Sequence, residues 1–288
     1  MITGASTGFG RLFAETLARK NYRVFATMRG LQSKNAHFAQ ELLDLAKKES
    51  LWIHPLELDV TDEASVKNAT DSAVNQTGRI DILINNAGYG VMGVTESVTT
   101  EQSQRIMDTN FLGVVRVNRA VLPHMRRQKS GLLIYISSGA GRLVIPSLGL
   151  YCASKFAMEA LAESYSYDVA GQGIDSVIIQ PGSYSTAAFN NIERAAEPAR
   201  EDAYGEVGGI ADRLLRQLSS TKANPQDIAD AVLQIIETPP GKRHLRYRLT
   251  RPGAGLGVEE INSTSARIQR QLLQALDLTE LTRLKSAR

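Results

Sequence analysis

Tyr151 and Lys155 stand four residues apart in the string "SLGLYCASKFAMEAL". On a helix that spacing stacks the phenol and the amine on one face, where an ammonium favours the ionised form of a neighbouring phenol. A free tyrosine titrates near pH ~10 and exchanges protons poorly at neutrality. One tuned by a cation can give a proton to a carbonyl oxygen or take it from an alcohol. The same spacing also fits a surface lysine beside a half-buried tyrosine, so the rest of the chain has to decide what the pair does.

A second group of residues speaks for a phosphate-bearing ligand. "TGASTGFG" places Gly4, Gly8 and Gly10 between a first strand and a helix that starts near Arg11. Glycines there allow a tight turn and close backbone approach, and the free N–H groups and dipole of the helix attract a pyrophosphate. The spacing is Gly-x-x-x-Gly-x-Gly rather than Gly-x-Gly-x-x-Gly, so a purely structural turn is the alternative. Asp59 in "LDV", Asn85 to Gly88 in "NNAG", and Pro181 with Gly182 each close a strand in small or polar residues. All would lie along the sheet edge that the glycine loop faces. "VFATMRG" puts Thr27 where an NAD site offers an acid to the ribose, followed by Arg29, whose planar fork suits a phosphate. That favours NADP(H), with NAD(H) possible.

These residues need a scaffold. "YRVFATM", "LWIHPLELDV", "IDILINNAG", "GLLIYISS" and "IDSVIIQPG" read as strands, and Arg11–Lys20, Ala64–Thr77, Glu101–Met125 and Cys152–Ala170 have helical spacing. Alternating strand and helix implies right-handed crossovers and a parallel sheet covered on both faces, with ligands at the carboxyl ends of its strands. The expected fold is a Rossmann-type, doubly wound α/β sheet forming one domain over residues 1–288. Residues 183–224, polar and without a convincing strand, are expected to be a lid or binding loop. The extension 242–288 contains a helix with Ile268, Leu272 and Leu276 on one face, read as packed against the body. Only Met1 and Ile2 precede Thr3, which points to a short first strand or a late start.

Composition narrows the alternatives. The chain has 288 residues with 33 basic and 30 acidic side chains, and a formal charge of +3 gives no global reason to expect nucleic acid or an anionic membrane. The basic run from Lys242 to Arg251 is read as a solvated edge strand or loop. A single cysteine, Cys152, excludes an internal disulfide and is read as a small buried residue. No apolar run approaches the roughly 20 residues of a membrane span, and the start lacks a signal-peptide pattern, so a cytoplasmic protein is expected. His37, His54, His124 and His244 show no metal-ligand spacing. Ser137 and Ser138 lack a Gly-x-Ser-x-Gly elbow, which argues against a hydrolase.

Taken in order, "TGASTGFG", "NNAG", "NFLG", "ISS", "YCASK" and "PG" resemble the short-chain dehydrogenase/reductase family from Ile2 to about Glu237. "VFATMRG" and "YCASKFAMEALAES" look like its branch of 17-beta-hydroxysteroid and retinol dehydrogenases. The resemblance implies a tetrad. Tyr151 would exchange the proton, and Lys155 would lower the phenol's pKa and bond the nicotinamide ribose. Ser138 would hold the substrate oxygen, with Ser137 as the alternative one residue further off. Asn110 would hold a water linking the lysine to solvent. It also implies cofactor contacts from Gly4, Ser6, Thr7, Gly8, Phe9 and Gly10 in the loop, and from Arg29, Asp59 and Val60 further along. Asn86, Ala87 and Gly88, the pair Tyr151 and Lys155, and Pro181, Gly182 and Thr186 complete the set.

The implied activity is interconversion of a ketone or aldehyde with an alcohol by an NADP(H)-dependent oxidoreductase, in a homodimer or homotetramer. An NAD(H)-dependent alcohol dehydrogenase and a non-catalytic dinucleotide sensor are the alternatives. Tyr89, Val91, Met92 and Gly93, then Leu143, Val144, Pro146 and Leu148, and finally Tyr184 are expected to line an apolar substrate pocket.

Overall fold

The computed structural model describes residues 1–184, 186, 191–250 and 257–284. Its body follows from strands apolar on both faces. Successive residues along them turn to opposite sides of the sheet, so Leu83, Leu133 and Ile178 pack on one face while Ile84, Ile134 and Ile179 pack on the other.

The first turn of chain leads into helix α1 (Gly8–Arg19), followed by strand β1 (Val24–Met28), α2 (Ala36–Glu49), β2 (Ile53–Glu57), α3 (Glu63–Thr77) and β3 (Ile82–Asn85). Next come the two-residue strand β4 (Val91–Met92), α4 (Thr100–Met107), a π-helical turn (Asp108–Leu112), α5 (Gly113–Gln128) and β5 (Gly131–Ile136). The second half holds α6 (Gly149–Ala170), β6 (Ile174–Pro181), β7 (Glu193–Arg194), α7 (Pro198–Asp202), α8 (Ile210–Ser219) and α9 (Gln226–Glu237). The last two are β8 (Arg246–Leu249) and α10 (Val258–Ala275).

All the strand pairings are parallel: β2 with β1, and β3–β5–β6–β8 in that order. Ile2 joins the two halves by bridging Ala26 and Ile84, so the short first strand expected from the sequence is a single bridging residue at the centre of the sheet. Phe13 and Leu17 of α1, Leu42 of α2 and Val232 of α9 cover one face. Val66 of α3, Val117 and Val121 of α5, and Met158 of α6 cover the other. Burying one such side chain contributes about 1.5–3 kcal/mol. No described helix is long and apolar enough to cross a membrane.

Several expectations need correcting. The helix read over Glu101–Met125 is two helices, α4 and α5, joined by the π turn that contains Asn110. Helix α2 went unread because only Ala39, Leu42 and Ala46 of its residues are buried among charged neighbours. The segment 183–224 does contain a strand, β7, which pairs with β4 (Val91 opposite Glu193), and it contains α7 and α8; residues 185 and 187–190 of it lie outside the described residues. The basic run forms an edge strand as expected, with Lys242 and His244 exposed, but two of its arginines are not solvated: Arg246 and Arg243 are nearly buried in ion pairs to Glu159, Glu163 and Asp175. Ile268, Leu272 and Leu276 are 53%, 48% and 55% exposed, so the face of α10 that they share is not packed against the body. Residues 251–256 and 285–288 of the C-terminal extension lie outside the described residues.

Candidate active site

The carboxyl edge of the sheet opens into a cleft of about 1570 Å³. A single drug-sized ligand needs roughly 300–1,000 Å³, so the cleft has room for a dinucleotide and a second molecule side by side.

At one end lies the glycine loop. Gly4 and Gly8 have φ of 67° and 59°, a region that side chains disfavour. A Cβ on Gly4 would come within 2.9 Å of Ala87 Cα. Asn86 Nδ2 donates to the carbonyls of Thr3 and Gly4 at 2.9 and 3.0 Å, and Thr3 Oγ1 accepts from the N–H groups of Asn86 and Ala87. "NNAG" therefore braces the loop as well as lining the cleft. Thr7 caps α1 without a side-chain bond to its first turn, and Ser6, Thr7, Gly8 and Phe9 line the cleft there. Gly10, expected to touch the cofactor, does not line the cleft. It is buried, and a Cβ on it would drive into the Gly4 carbonyl and sit 2.6 Å from Asn86 Nδ2. The loop, its backbone approach and the helix end thus fit a pyrophosphate.

Beyond the loop the wall is built by Met28, Arg29, Lys34 and Asn35, with Asp59 and Val60 opposite. Thr27 does not stand there: it is buried and donates from Oγ1 to the Ile2 carbonyl at 2.9 Å. Glu57, the acid at the end of β2, accepts from the N–H groups of Gly30 and Leu31 and so fixes the turn that presents Arg29. Burial raises the pKa of Asp59, but bonds from Thr61 and the charges of Arg29 and Lys34 outweigh it and hold the carboxyl below its ordinary range. Lys34 escaped the sequence reading, because nothing marks it among the other surface lysines until the turn after β1 brings it beside Arg29.

At the other end the cleft reaches Gly88, Ser138, Tyr151, Lys155, Pro181, Gly182 and Thr186. Ser138 caps the turn Gly139–Gly141, its Oγ accepting from Ala140 N–H at 3.1 Å. Ser137 faces away and donates to Glu159 at 2.8 Å, so of the two serines only Ser138 adjoins the phenol. Burial pushes Tyr151 up to about 12, and the Ser138 hydrogen bond works against that rise. Lys155 is pushed down to about 8 by burial, with Glu159 opposing. Its Nζ donates to the Ile136 carbonyl at 2.9 Å and stands 5.8 Å from the Tyr151 ring centroid. The expected depression of the phenol by the ammonium is therefore not what this geometry produces, because desolvation dominates. Asn110 is fully buried: its Oδ1 accepts from Tyr89 N–H, and its Nδ2 donates to the Tyr89 carbonyl and to Ser154 Oγ. A Cβ on Gly88 would lie 3.0 Å from Asn110 Oδ1 and 3.7 Å from Lys155 Nζ, which places the asparagine directly behind the site.

Above the phenol the walls are apolar. Tyr89, Leu143, Leu148 and Tyr184 line the cleft as expected, joined by Ile145, Ile192 and, from α8, Leu214 and Leu218. Val91 and Met92 are instead buried beneath it, Gly93 and Pro146 lie off it, and Val144 is 73% exposed. Cys152 is buried as expected and packs with Met92, Leu148 and Ala211. Among the described residues there is no cluster of side chains that could hold a metal ion.

Comparison with known proteins places the chain in a family. The short chain dehydrogenase family model matches residues 1–197. A 3-ketodihydrosphingosine reductase of Bacteroides thetaiotaomicron is 33% identical over 236 residues, 82% of each chain. A 17-beta-hydroxysteroid dehydrogenase type 1 of Mus musculus is 30% identical over 275 residues, covering 92% of this chain and 78% of that one. The solved short chain dehydrogenase/reductase of Burkholderia phymatum in complex with NAD superposes with a TM-score of 0.74 at 25% identity, over 93% of this chain and 94% of that one. The chain belongs to the short-chain dehydrogenase family, oxidoreductases that use a nicotinamide dinucleotide on carbonyl or alcohol substrates.

Proposed function

We propose that this oxidoreductase uses NADP(H) and reduces a bulky hydrophobic ketone or aldehyde to its alcohol. The observation that carries the reading is the convergence of Ser138, Tyr151 and Lys155 at one end of a cleft whose other end holds Arg29 and Lys34. The bound dinucleotide supplies the hydride. Tyr151, held protonated by burial, gives its proton to the carbonyl oxygen as negative charge develops there. Ser138 orients that oxygen, and the Lys155 ammonium adds a positive field and a donor for a ribose hydroxyl. Burial keeps the phenol protonated at neutral pH, the form that reduction of a carbonyl requires.

Arg29 and Lys34 together offer two cations to a ribose phosphate, with Asp59 as the acid near them in the same cleft. For the substrate, the apolar wall from Leu143 to Leu218 suits a large hydrophobic molecule. The two relatives described above are named for a sphingoid ketone and a steroid alcohol. A homodimer or homotetramer through α4, α5 and α6 fits the exposure of Leu112 and Phe156 on that side.

The test is a parallel titration with NADPH and NADH, followed by a panel of hydrophobic ketones scored by loss of cofactor absorbance. Tighter NADPH binding with turnover of bulky ketones is expected. Equal binding of both cofactors would remove the NADP(H) assignment, and turnover confined to small polar carbonyls would remove the substrate class.

A further inference from the structure

One charged group beneath the site has no part in the chemistry described so far. Glu159 is 2% exposed, one turn beyond Lys155 on α6. A buried carboxylate is costly unless every lone pair is engaged, and here the oxygens have three partners. Ser137 Oγ and Gln180 Nε2 each donate to Oε1 at 2.8 Å, and Arg246 Nε donates to Oε2 at 3.0 Å. Arg246 reaches on to Glu163 at 2.5 Å, and Asn262 Nδ2 of α10 donates to Gln180 Oε1 at 2.7 Å. The carboxylate lies so close under the turn after β5 that a Cβ on Gly141 would come within 2.6 Å of it and 2.7 Å of Ser137 Oγ.

We propose that Glu159 is a positioning residue: a buried carboxylate through which β8 and α10 hold the Ser138 turn and Lys155 in their working geometry. The proposal rests on the roles given above to Ser138 and Lys155. Its partners come from the middle of the chain and from its C-terminal part. Ser137 precedes the candidate catalytic serine, whereas Arg246 and Asn262 lie beyond residue 197, where the family match ends. The C-terminal part thus becomes a support for the site. The charged groups facing Glu159 are Lys155 and Glu163 from α6, Arg246 and Arg248 from β8, and Arg142 from the turn after β5. Among them Lys155 is the one whose charge the chemistry uses, and Glu159 supports that charge against the burial that lowers it. A structural core position would serve as well with an apolar side chain of the same volume; a positioning carboxylate would not.

The experiment compares full-length wild type with Glu159→Gln, Ser137→Ala and Asn262→Ala by two readouts. One is hydrogen exchange at the Gly139–Gly141 amides, which needs no substrate; the other is kcat for ketone reduction against pH. Glu159→Gln should speed exchange at the turn by about tenfold or more, lower kcat by up to about 100-fold, and move the alkaline limb of kcat to lower pH. Ser137→Ala should speed the same exchange without moving the limb, because the carboxylate remains; Asn262→Ala should do so to a lesser degree. Unchanged exchange at the turn in Ser137→Ala and Glu159→Gln, or a limb that stays in place in Glu159→Gln, would overturn the proposal. If Glu159→Gln does not fold, exchange in the other two variants decides. A wild type that turns over no carbonyl would sink the functional reading alone, since exchange still judges the clamp.

Discussion

Lys155 and Tyr151 share one face of α6, yet the Lys155 ammonium is tied to the Ile136 carbonyl at 2.9 Å and lies 5.8 Å from the tyrosine ring centroid. The two groups are therefore set apart by burial, the phenol up to about 12 and the ammonium down to about 8. Two titrating groups whose environments drive them in opposite directions mark an acid and its electrostatic partner. As the pH rises through about 8, Lys155 loses its charge while Tyr151 keeps its proton. Ketone reduction should accordingly fall on the alkaline side with a midpoint near that value. A kcat profile flat from neutrality to strongly alkaline pH would show that the ammonium has no part in the rate.

Tyr151→Phe removes the proton donor and keeps the ring. Turnover should drop by about 10²–10⁴-fold, the usual worth of a positioned general acid. Cofactor affinity should change little, since the ring still fills its place between Gly90 and the cleft. Fluorescence titration of NADPH beside steady-state kinetics separates the two. Activity within a factor of two of wild type would remove Tyr151 from the chemistry.

Burying the Lys155 amine should cost stability. Its pKa falls from 10.5 to about 8 on folding, so between those values the unfolded chain binds the extra proton and stability rises with pH. Below about 8 the full penalty applies, about 3 kcal/mol at 1.36 kcal/mol per unit. Lys155→Met leaves the Ile136 carbonyl without that donor, at about 1 kcal/mol. The variant should be inactive yet more stable than wild type by about 2 kcal/mol at neutral pH, with the gain fading as the pH rises from about 8 to 10.5. Urea unfolding at two pH values reads this directly, and a variant less stable at neutral pH would contradict it.

The sheet edge was legible because each strand there ends in residues whose types have few other uses. Gly4, Asn86, Pro181 and the Tyr151–Lys155 pair announce a turn, a brace, a strand end and a helix face, and the fold brings them to one cleft. What sequence could not carry was desolvation. The spacing of Tyr151 and Lys155 suggested a depressed phenol, whereas enclosure by the apolar wall raises it. Lys34 and Glu159 were missed for a related reason: a lysine and a glutamate are ordinary helix and surface residues until the chain places one in a cleft wall and the other under a turn. Gly10 shows the opposite error, a motif glycine whose role is to let Gly4 and Asn86 approach rather than to touch a ligand.

Arg29 and Lys34 should discriminate between the two dinucleotides. A charge-assisted hydrogen bond contributes about 1.5–3 kcal/mol, so Arg29→Ala should weaken NADPH by about 10–100-fold and leave NADH nearly unchanged. Lys34→Ala should weaken NADPH less, because a flexible point charge holds phosphate with less geometric specificity than a guanidinium fork. Raising the salt concentration should narrow the gap between cofactors, as both cations are exposed. Dissociation constants for both cofactors in the two variants test this, and equal losses for NADPH and NADH would refute the phosphate assignment.

Helix α8 offers the sharpest test of the substrate class, because it meets the cleft through Leu214, Gln217 and Leu218 while lying far in sequence from the glycine loop. Leu214 and Leu218 are one turn apart and also pack on the cluster of Met92, Leu148 and Cys152, so they form part of both that cluster and the pocket's wall. Replacing Leu218 by Ala removes apolar contact worth about 1–3 kcal/mol to a substrate that touches it. KM for bulky ketones should rise by about 10-fold or more, while NADPH affinity stays put. A small ketone that reaches Tyr151 without touching α8 should show almost no change in KM. Should the small and bulky ketones lose equally, α8 would be acting on the closure of the cleft as a whole, and its leucines would not be selecting for size.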